Sequence, residues 1–364
     1  MSGPVAARPV RVELRRVALA TPAPFASAHG TEHERRSILV RAVDAEGVEG
    51  WGECPALARP TYTGEWHLGA WQVLVDEIVP AVLAGEPDPT RGHPMASGAV
   101  EAACLDLALR RQGRSLADAL GATRAAVDTT EVIGLGTVDE IVARVAAAVQ
   151  RGHRSVKLKI HPGSDLDPLR AVRATWPDLS VAADANGSYA DDLDRLPLLD
   201  EVGLTYLEQP LAPDDLVGHA TLVARLRTPV ALDESASSAG AVAAALALGA
   251  ADVVNIKPAR LGGLLAARRV HDLVVDRGSA AFVGGMLELG VGRAAALAVA
   301  ALPGCGLPTD LGPSARYVVD DVTEPLVLGP GATLAVPDGP GIGVVPRADR
   351  LATVTIESVW LAPS

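Results

Sequence analysis

Apolar and polar residues alternate along residues 10–14, 37–43 and 48–53. A period of two turns one face of each segment to a core and the other to water, so the spacing predicts three strands. Asp44, Glu46 and Gly47 supply hairpin-turn chemistry between the second and third, which makes the three an antiparallel meander. Across residues 66–120 the recurrence of Leu, Val, Ala and Ile becomes helical, interrupted by a Pro-rich patch at residues 86–94. From about residue 127 short apolar runs at 132–134, 155–160, 180–184, 205–208, 229–233, 253–257 and 281–284 alternate with Ala- and Leu-rich helical stretches. This is the rhythm of a parallel sheet covered by helices. A weaker eighth run lies at residues 306–310, and the Gly- and Pro-rich tail ends in a β-branched stretch at 353–356 that rejoins the first unit. The expected organisation is α/β: an α+β unit over residues 1–125, a barrel over 126–318, and a returning tail over 319–364.

Composition narrows the function. The chain has 364 residues, 49% of them hydrophobic but only 3% aromatic, so Ala, Val and Leu must fill the interior. A formal charge of −12 with no basic run repels polyanions, which excludes a nucleic-acid or anionic-membrane surface and leaves a small molecule as the partner. Cys54, Cys104 and Cys305 are too few and too scattered for a disulfide framework or a zinc cluster, and read as free thiols in a reducing cytosol. Residues 1–11 lack the basic-then-apolar pattern of a signal peptide, and the apolar stretch 241–251 is too short to span a bilayer. The expected location is cytoplasmic.

The chemistry lies in a ladder. Lys159, Asp184, Glu208, Asp233 and Lys257 each close a predicted strand, at steps of 25, 24, 25 and 24 by subtraction. One βα unit separates each pair, so all five converge on the mouth formed by the strands' carboxyl ends, where barrels of this kind hold their active sites. Three gathered carboxylates repel one another unless a cation sits among them. An all-oxygen ligand set favours Mg²⁺, with Mn²⁺ as a substitute. Lys157 lies two residues before Lys159 and leaves the same strand face. Neighbouring cations and partial burial are expected to pull these amines toward neutrality, so that one of the pair can accept a proton. Lys257 faces them across the metal, an arrangement suited to removing a proton next to a carboxylate. Taken singly, a Lys-x-Lys is a solvated strand face and a Glu-Gln-Pro a cap or turn. In a barrel both strand faces are buried, and charges at so many strand ends have no inexpensive structural explanation. Gly284, Gly285 and Met286 close the seventh strand as either a substrate wall or a plain tight turn. Gly134-Leu135-Gly136 lacks the third glycine of a dinucleotide loop, none of the eight histidines falls on the ladder, and Trp51, Trp66 and Trp71 read as packing residues.

Lys157-Leu158-Lys159, Asp184-Ala185-Asn186, Glu208-Gln209-Pro210, Asp233-Glu234-Ser235, Asn255-Ile256-Lys257-Pro258 with Leu261-Gly262-Gly263, and Gly284-Gly285-Met286-Leu287-Glu288 together make the chain resemble the enolase superfamily. Within its muconate-lactonizing subgroup they resemble the o-succinylbenzoate synthase / N-succinylamino acid racemase family. The resemblance implies a modified (β/α)₇β TIM barrel with an α+β capping domain made from the N-terminal segment and the C-terminal tail. It further implies Asp184, Glu208 and Asp233 as Mg²⁺ ligands, Lys159 as general base, Lys157 as its electrostatic helper, and Lys257 on the opposite face of the substrate. Asn186 and Glu234 would support the ligands; Gly285 and Met286 would wall the site. Capping loops at residues 24–27, including Phe25 and Ser27, and at residues 56–62 would close over the substrate. Lys257 on the sixth strand argues against the mandelate-racemase branch and its His-Asp dyad. Two positions depart from the family's usual pattern: Leu289 stands where threonine is usual, and Glu131-Val132 where a small hydroxyl residue is common. The preferred activity is dehydration of a cyclohexadiene carboxylate bearing a succinyl chain, a step of menaquinone synthesis. The rivals are racemisation of N-acylated amino acids, then dipeptide epimerisation, then an inactive binding protein. Symmetric homo-oligomers are common among such barrels.

Overall fold

Alternation becomes strand where it was expected, and the first two strands run longer. The computed structural model describes residues 8–27 and 30–363, the side chains of residues 23–27 and 30–33 excepted. β1 (Arg11–Ser27), β2 (Gly30–Val43) and β3 (Glu49–Cys54) form the antiparallel meander, with Val12 opposite Ala42 and Val40 opposite Gly52. The tail returns as the strand Thr355–Leu361, which pairs antiparallel with β1 and places Leu361 opposite Val12. One face of this sheet buries Val12, Leu14, Ile38 and Val40 against Val100, Ala103 and Leu107 of the helix Pro94–Arg111. Contact is so close that a Cβ added at Gly50 or Gly52 would stand 2.1 Å from the Ala103 carbonyl oxygen or 2.0 Å from that of Ala99. Only glycine permits this packing. Trp51 and Trp71 are buried as expected, whereas Trp66 is exposed because it is the N-cap of the helix His67–Val73 and lies outside its packed face. Cys54, Cys104 and Cys305 are all buried and unpaired.

β4 (Ala126–Asp128) joins two tail strands, Leu328–Gly329 and Thr333–Ala335, in a small antiparallel sheet that periodicity did not reveal. The strands that follow are β5 (Glu131–Ile133), β6 (Ser155–Lys159), β7 (Ser180–Asp184), β8 (Leu207–Glu208), β9 (Val230–Leu232), β10 (Val253–Ile256) and β11 (Ala280–Val283). They form one curled parallel sheet in sequential order. Inside the curl Ala182, Tyr206, Ala231, Val253 and Phe282 make a small core, with the Tyr206 and Phe282 rings stacked at 5.1 Å. The weak eighth run forms no strand, yet it bonds the chain just before β5 and the last residue of β11, closing the gap between the two edges of the sheet. Thr309 N donates to Asp128 O at 2.9 Å, Thr130 N to Thr309 O at 2.8 Å, and Asp310 N to Val283 O at 3.2 Å. Among the described residues no helix is long and apolar enough to cross a membrane.

Of the described α-helices that follow the parallel strands, two begin without a side-chain cap of their own, Leu264–Asp276 after β10 and Gly290–Ala300 after β11. Their free N–H groups are met from other parts of the chain. Glu101, on the helix Pro94–Arg111, accepts from Leu265 N at 3.1 Å. Glu53 of β3 accepts from Leu289 N and Gly292 N, both at 2.8 Å, and Asp321 accepts from Gly290 N at 2.9 Å. Leu289 sits at the N-cap position, where a threonine hydroxyl could cap; here distant carboxylates do that work.

Burial pushes the Glu53 carboxyl up from 4.5 to about 7 against the pull of its N–H donors. The folded protein therefore holds this proton more tightly than the unfolded chain does, and Glu53 favours folding below pH 4.5, a contribution lost as pH rises through about 7. Glu53→Gln, with a single acceptor oxygen for two N–H groups, is expected to cost about 1–3 kcal/mol of stability in urea unfolding. The wild type's advantage over this variant should be larger near pH 5 than near neutrality, on the same proton-linkage argument.

Candidate active site

Each parallel strand delivers its last residues to one rim. The parallel register sets Lys159 beside Asp184, and Asp184 beside Glu208. Asp233 and Lys257 each follow directly on their strands. Because the order is β6-β7-β8-β9-β10, the three acidic strands lie between the two lysine strands. A cleft of about 170 Å³ opens there, lined by Lys157, Lys159, Asp184, Asn186, Asp233 and Lys257 on one side and by Gly285, Met286 and Leu287 on another. Glu208 lies beneath it, fully buried. Gly285 and Met286 thus line the cleft. The side chains of Phe25 and Ser27 lie outside the described residues.

Every acid is engaged by a base. Lys157 Nζ donates to Glu208 Oε2 at 2.6 Å and also to Asp310 Oδ2. Lys159 Nζ donates to Asp184 Oδ2 at 2.5 Å and to Asn186 Oδ1 at 2.6 Å. Lys257 Nζ reaches Asp233 Oδ2 at 2.9 Å, and Arg260 Nη1 reaches Asp233 Oδ1 at 2.6 Å. Tyr62, from the loop before the first helix, donates its hydroxyl to Asp233 at 3.0 Å and accepts from Lys257 at 2.9 Å and Arg260 at 2.8 Å. Asn186 Nδ2 bonds Glu234 Oε1 at 2.9 Å. Gln209 Oε1 accepts from Asp233 N at 3.0 Å and Ser235 N at 3.2 Å, tying the end of β8 to that of β9. Asn186 (φ 43), Gln209 (φ 41) and Leu287 (φ 62) adopt left-handed backbone at this rim. Each such non-glycine residue costs on the order of 1–3 kcal/mol, strain that clusters at functional sites.

These ion pairs correct one expectation. Burial disfavours the Lys157 ammonium, but Asp310 and Glu208 outweigh it and hold its pKa well above the ordinary value. Lys257 is likewise raised: burial lowers it, and the charge of Asp233 more than reverses that. The cations were expected to act on one another; each instead meets a carboxylate first, and the shorter contact wins.

The same acids bear on metal binding. Among the described residues no three His, Cys, Asp or Glu side chains are gathered closely enough to hold an ion as they stand. Their oxygens are turned to ammonium and guanidinium groups instead. The donor chemistry nevertheless fits a hard dication. Glu208 is pushed up to about 8, first by burial and then by the charges of Asp184, Asp310 and Asp233, against the pull of Lys157. A carboxylate so crowded by others is relieved by a cation. Among the described residues, one oxygen each of Glu234, Asn255 and Asp310 is buried with no hydrogen-bond partner, so the site holds unspent acceptors.

Several residues of this site escaped sequence reading. Asp310 carried too weak a strand signal, Asn255 was quoted beside Lys257 but given no role, and Arg260 and Tyr317 on turns and Arg316 at the end of a single 3-10 turn carry no periodicity. Asn255 Nδ2 donates to Glu208 Oε1 at 2.8 Å.

Comparison with known proteins adds an independent line. Residues 11–121 match the mandelate racemase / muconate lactonizing enzyme N-terminal domain, and residues 140–350 the enolase C-terminal domain-like family. An N-succinylamino acid racemase of Amycolatopsis is 44% identical over 96% of this chain and 98% of its own. An o-succinylbenzoate synthase of Geobacillus stearothermophilus is 42% identical over 91% and 92%. Among solved structures, a probable mandelate racemase from Alicyclobacillus acidocaldarius superposes with a TM-score of 0.91 at 41% identity, covering 96% of this chain and 98% of that one.

Proposed function

Because the chain belongs to the mandelate racemase / muconate lactonizing enzyme family of the enolase superfamily, we propose that it removes the proton α to a substrate carboxylate and expels water, as an o-succinylbenzoate synthase-like lyase. Enzymes of this family are generally dependent on a divalent metal. In this reading residues 1–125 with the tail 319–364 cap a modified (β/α)₇β barrel formed by residues 126–318. The pairing of the tail strand with β1 supports that division, as do Leu57 and Tyr62 of the N-terminal segment at the cleft.

One observation carries the mechanism: an amine enters the cleft from each flank of the three acidic strands. Lys159 is the base. It takes the α-proton and returns it, on the same face, to the departing hydroxyl, so that the net loss is one water. Lys157, buried between Glu208 and Asp310, keeps its charge beside the reacting carboxylate. Lys257 faces the other side of the substrate and stabilises the developing negative charge. Asp184, Glu208 and Asp233 would hold the dication, Mg²⁺ with Mn²⁺ as a substitute, and it would supply Lewis-acid stabilisation of the charge that develops on the substrate carboxylate. Asn186 and Glu234 orient Lys159 and the ligands, and Gly285 and Met286 shape the wall.

The second reading is an N-succinylamino acid racemase, which needs the same proton removal. Lys257 then delivers its own proton to the face opposite Lys159. The amine on that face and the Amycolatopsis relative favour it as an added activity. Incubation with Mg²⁺ and each substrate in turn separates the two readings. An aromatic product, followed by its absorbance, marks the lyase, and loss of optical rotation in N-succinyl amino acids marks the racemase. Turnover of neither would remove both.

A further inference from the structure

Three ammonium groups line the cleft, and each is matched by acid: Lys157 by Glu208 and Asp310, Lys159 by Asp184, Lys257 by Asp233. A fourth cation lines the same cleft. Arg316, half-buried, makes no ion pair among the described residues. Its guanidinium has one long hydrogen bond, Nη2 to Val132 O at 3.4 Å, and stands 5.7 Å from the Tyr317 ring. The acids nearest to it are engaged elsewhere, Glu131 with Arg151 at 3.2 Å and one oxygen of Asp310 with Lys157. A guanidinium carries five donors in a fixed fork that matches a carboxylate. Nearby Tyr317, Glu131 and Asp310 hold its charge against the cost of burial, yet among the described residues none of them bonds the fork, whose donors stay open to an incoming carboxylate.

Its place in the fold gives the arrangement a direction. Asp184, Glu208 and Asp233 stand at the ends of β7, β8 and β9, in the middle of the curled sheet. Arg316 follows the segment at Thr309 and Asp310 that bonds both outer edges, and it reaches the neighbour of β5's last residue, so it belongs to the opposite arc of the rim. The cleft therefore has two anion-receptive ends with the lysines between them. Val132 and Tyr317 supply less polar wall beside Arg316, suited to the methylene groups of a chain ending in a charge.

We propose that Arg316 anchors a second carboxylate at the far end of the substrate's acyl or side chain, making the cleft selective for dicarboxylates over neutral compounds of the same shape. This rests on the reading above for the seat of the first carboxylate, at the acidic strand ends. It also accounts for what both candidate substrates share, a succinyl carboxylate remote from the reacting carbon.

The test is calorimetric titration of the full chain with Mg²⁺ present, using N-succinyl-phenylalanine and its N-succinamoyl analogue, in which a neutral amide replaces the distal carboxylate. The wild type should bind the succinyl compound roughly tenfold or more tightly than the amide, the scale of a charge-assisted pair. Arg316→Gln should level the two by weakening the succinyl compound alone, and Arg316→Lys should keep an intermediate preference. A wild type that does not discriminate overturns the proposal, whatever the variants do. So does an Arg316→Gln protein that keeps the preference, or one that loses both ligands equally. Deuterium uptake at the α-carbon, read in the same samples, judges the chemistry separately. Discrimination without exchange upholds Arg316 and removes the racemase reading for this compound; exchange without discrimination upholds proton removal and overturns the role of Arg316.

Discussion

Lys159→Ala is expected to lower turnover by about 10²–10⁴-fold, the range for loss of a positioned general base, and to leave divalent-cation binding intact. The side chain reaches into the cleft with 31% of its surface exposed, so its removal leaves no sealed cavity. Its partner Asp184 loses an ammonium at 2.5 Å and becomes freer to hold a cation. Steady-state rates with Mg²⁺, paired with Mn²⁺ binding followed by electron paramagnetic resonance, check both halves. Retained turnover removes Lys159 as the base; lost cation binding means that it supports the metal ligands instead.

Lys257→Ala is expected to divide the two activities. Racemisation needs a proton acceptor and donor on each face, so interconversion of N-succinyl amino acid enantiomers should be abolished. One enantiomer, the one whose α-hydrogen faces Lys159, should still exchange it with solvent. Dehydration loses an electrostatic stabiliser and not the base, and should fall less, by about 10²–10³-fold. Asp233 keeps Arg260 at 2.6 Å and the Tyr62 hydroxyl at 3.0 Å, so the variant should remain folded. Stereospecific exchange followed by NMR reads this outcome. Equal loss of exchange from both enantiomers would contradict the assignment of one lysine to each face.

What could be read from the sequence was whatever repeats. Strand–helix units of constant length put Lys159, Asp184, Glu208, Asp233 and Lys257 at near-equal spacing, and their shared rim followed from parallel-strand geometry before any coordinates. The meander and the returning tail strand were equally legible, because alternation against a buried face is hard to disguise. Residues on irregular backbone were not. Asp310 sits in a segment that bonds two strand edges without becoming a strand, and Arg260 and Arg316 follow turns whose direction no periodicity encodes. Strands of two or three residues, such as β4 and its tail partners, are too short to carry a pattern. Glu53 read as one more position of a strand; its service to a helix start more than 200 residues away is a fact of packing alone. The charge state of the lysines failed for another reason. Spacing shows which charges share a rim, but the sign of a pKa shift depends on which neighbour is nearest, and at Lys157 and Lys257 that neighbour is a carboxylate.

If the amines at this rim exchange a proton with the carbon next to a substrate carboxylate, NMR in deuterated water will register the exchange. With Mg²⁺ and N-succinyl-phenylalanine, the α-hydrogen signal should disappear over time. It should persist when the metal is chelated, and also in the Lys159→Ala, Lys257→Ala double variant. Persistence in the metal-loaded wild type, with the dehydration substrate also left unchanged, would contradict the account, as would exchange that proceeds without either lysine.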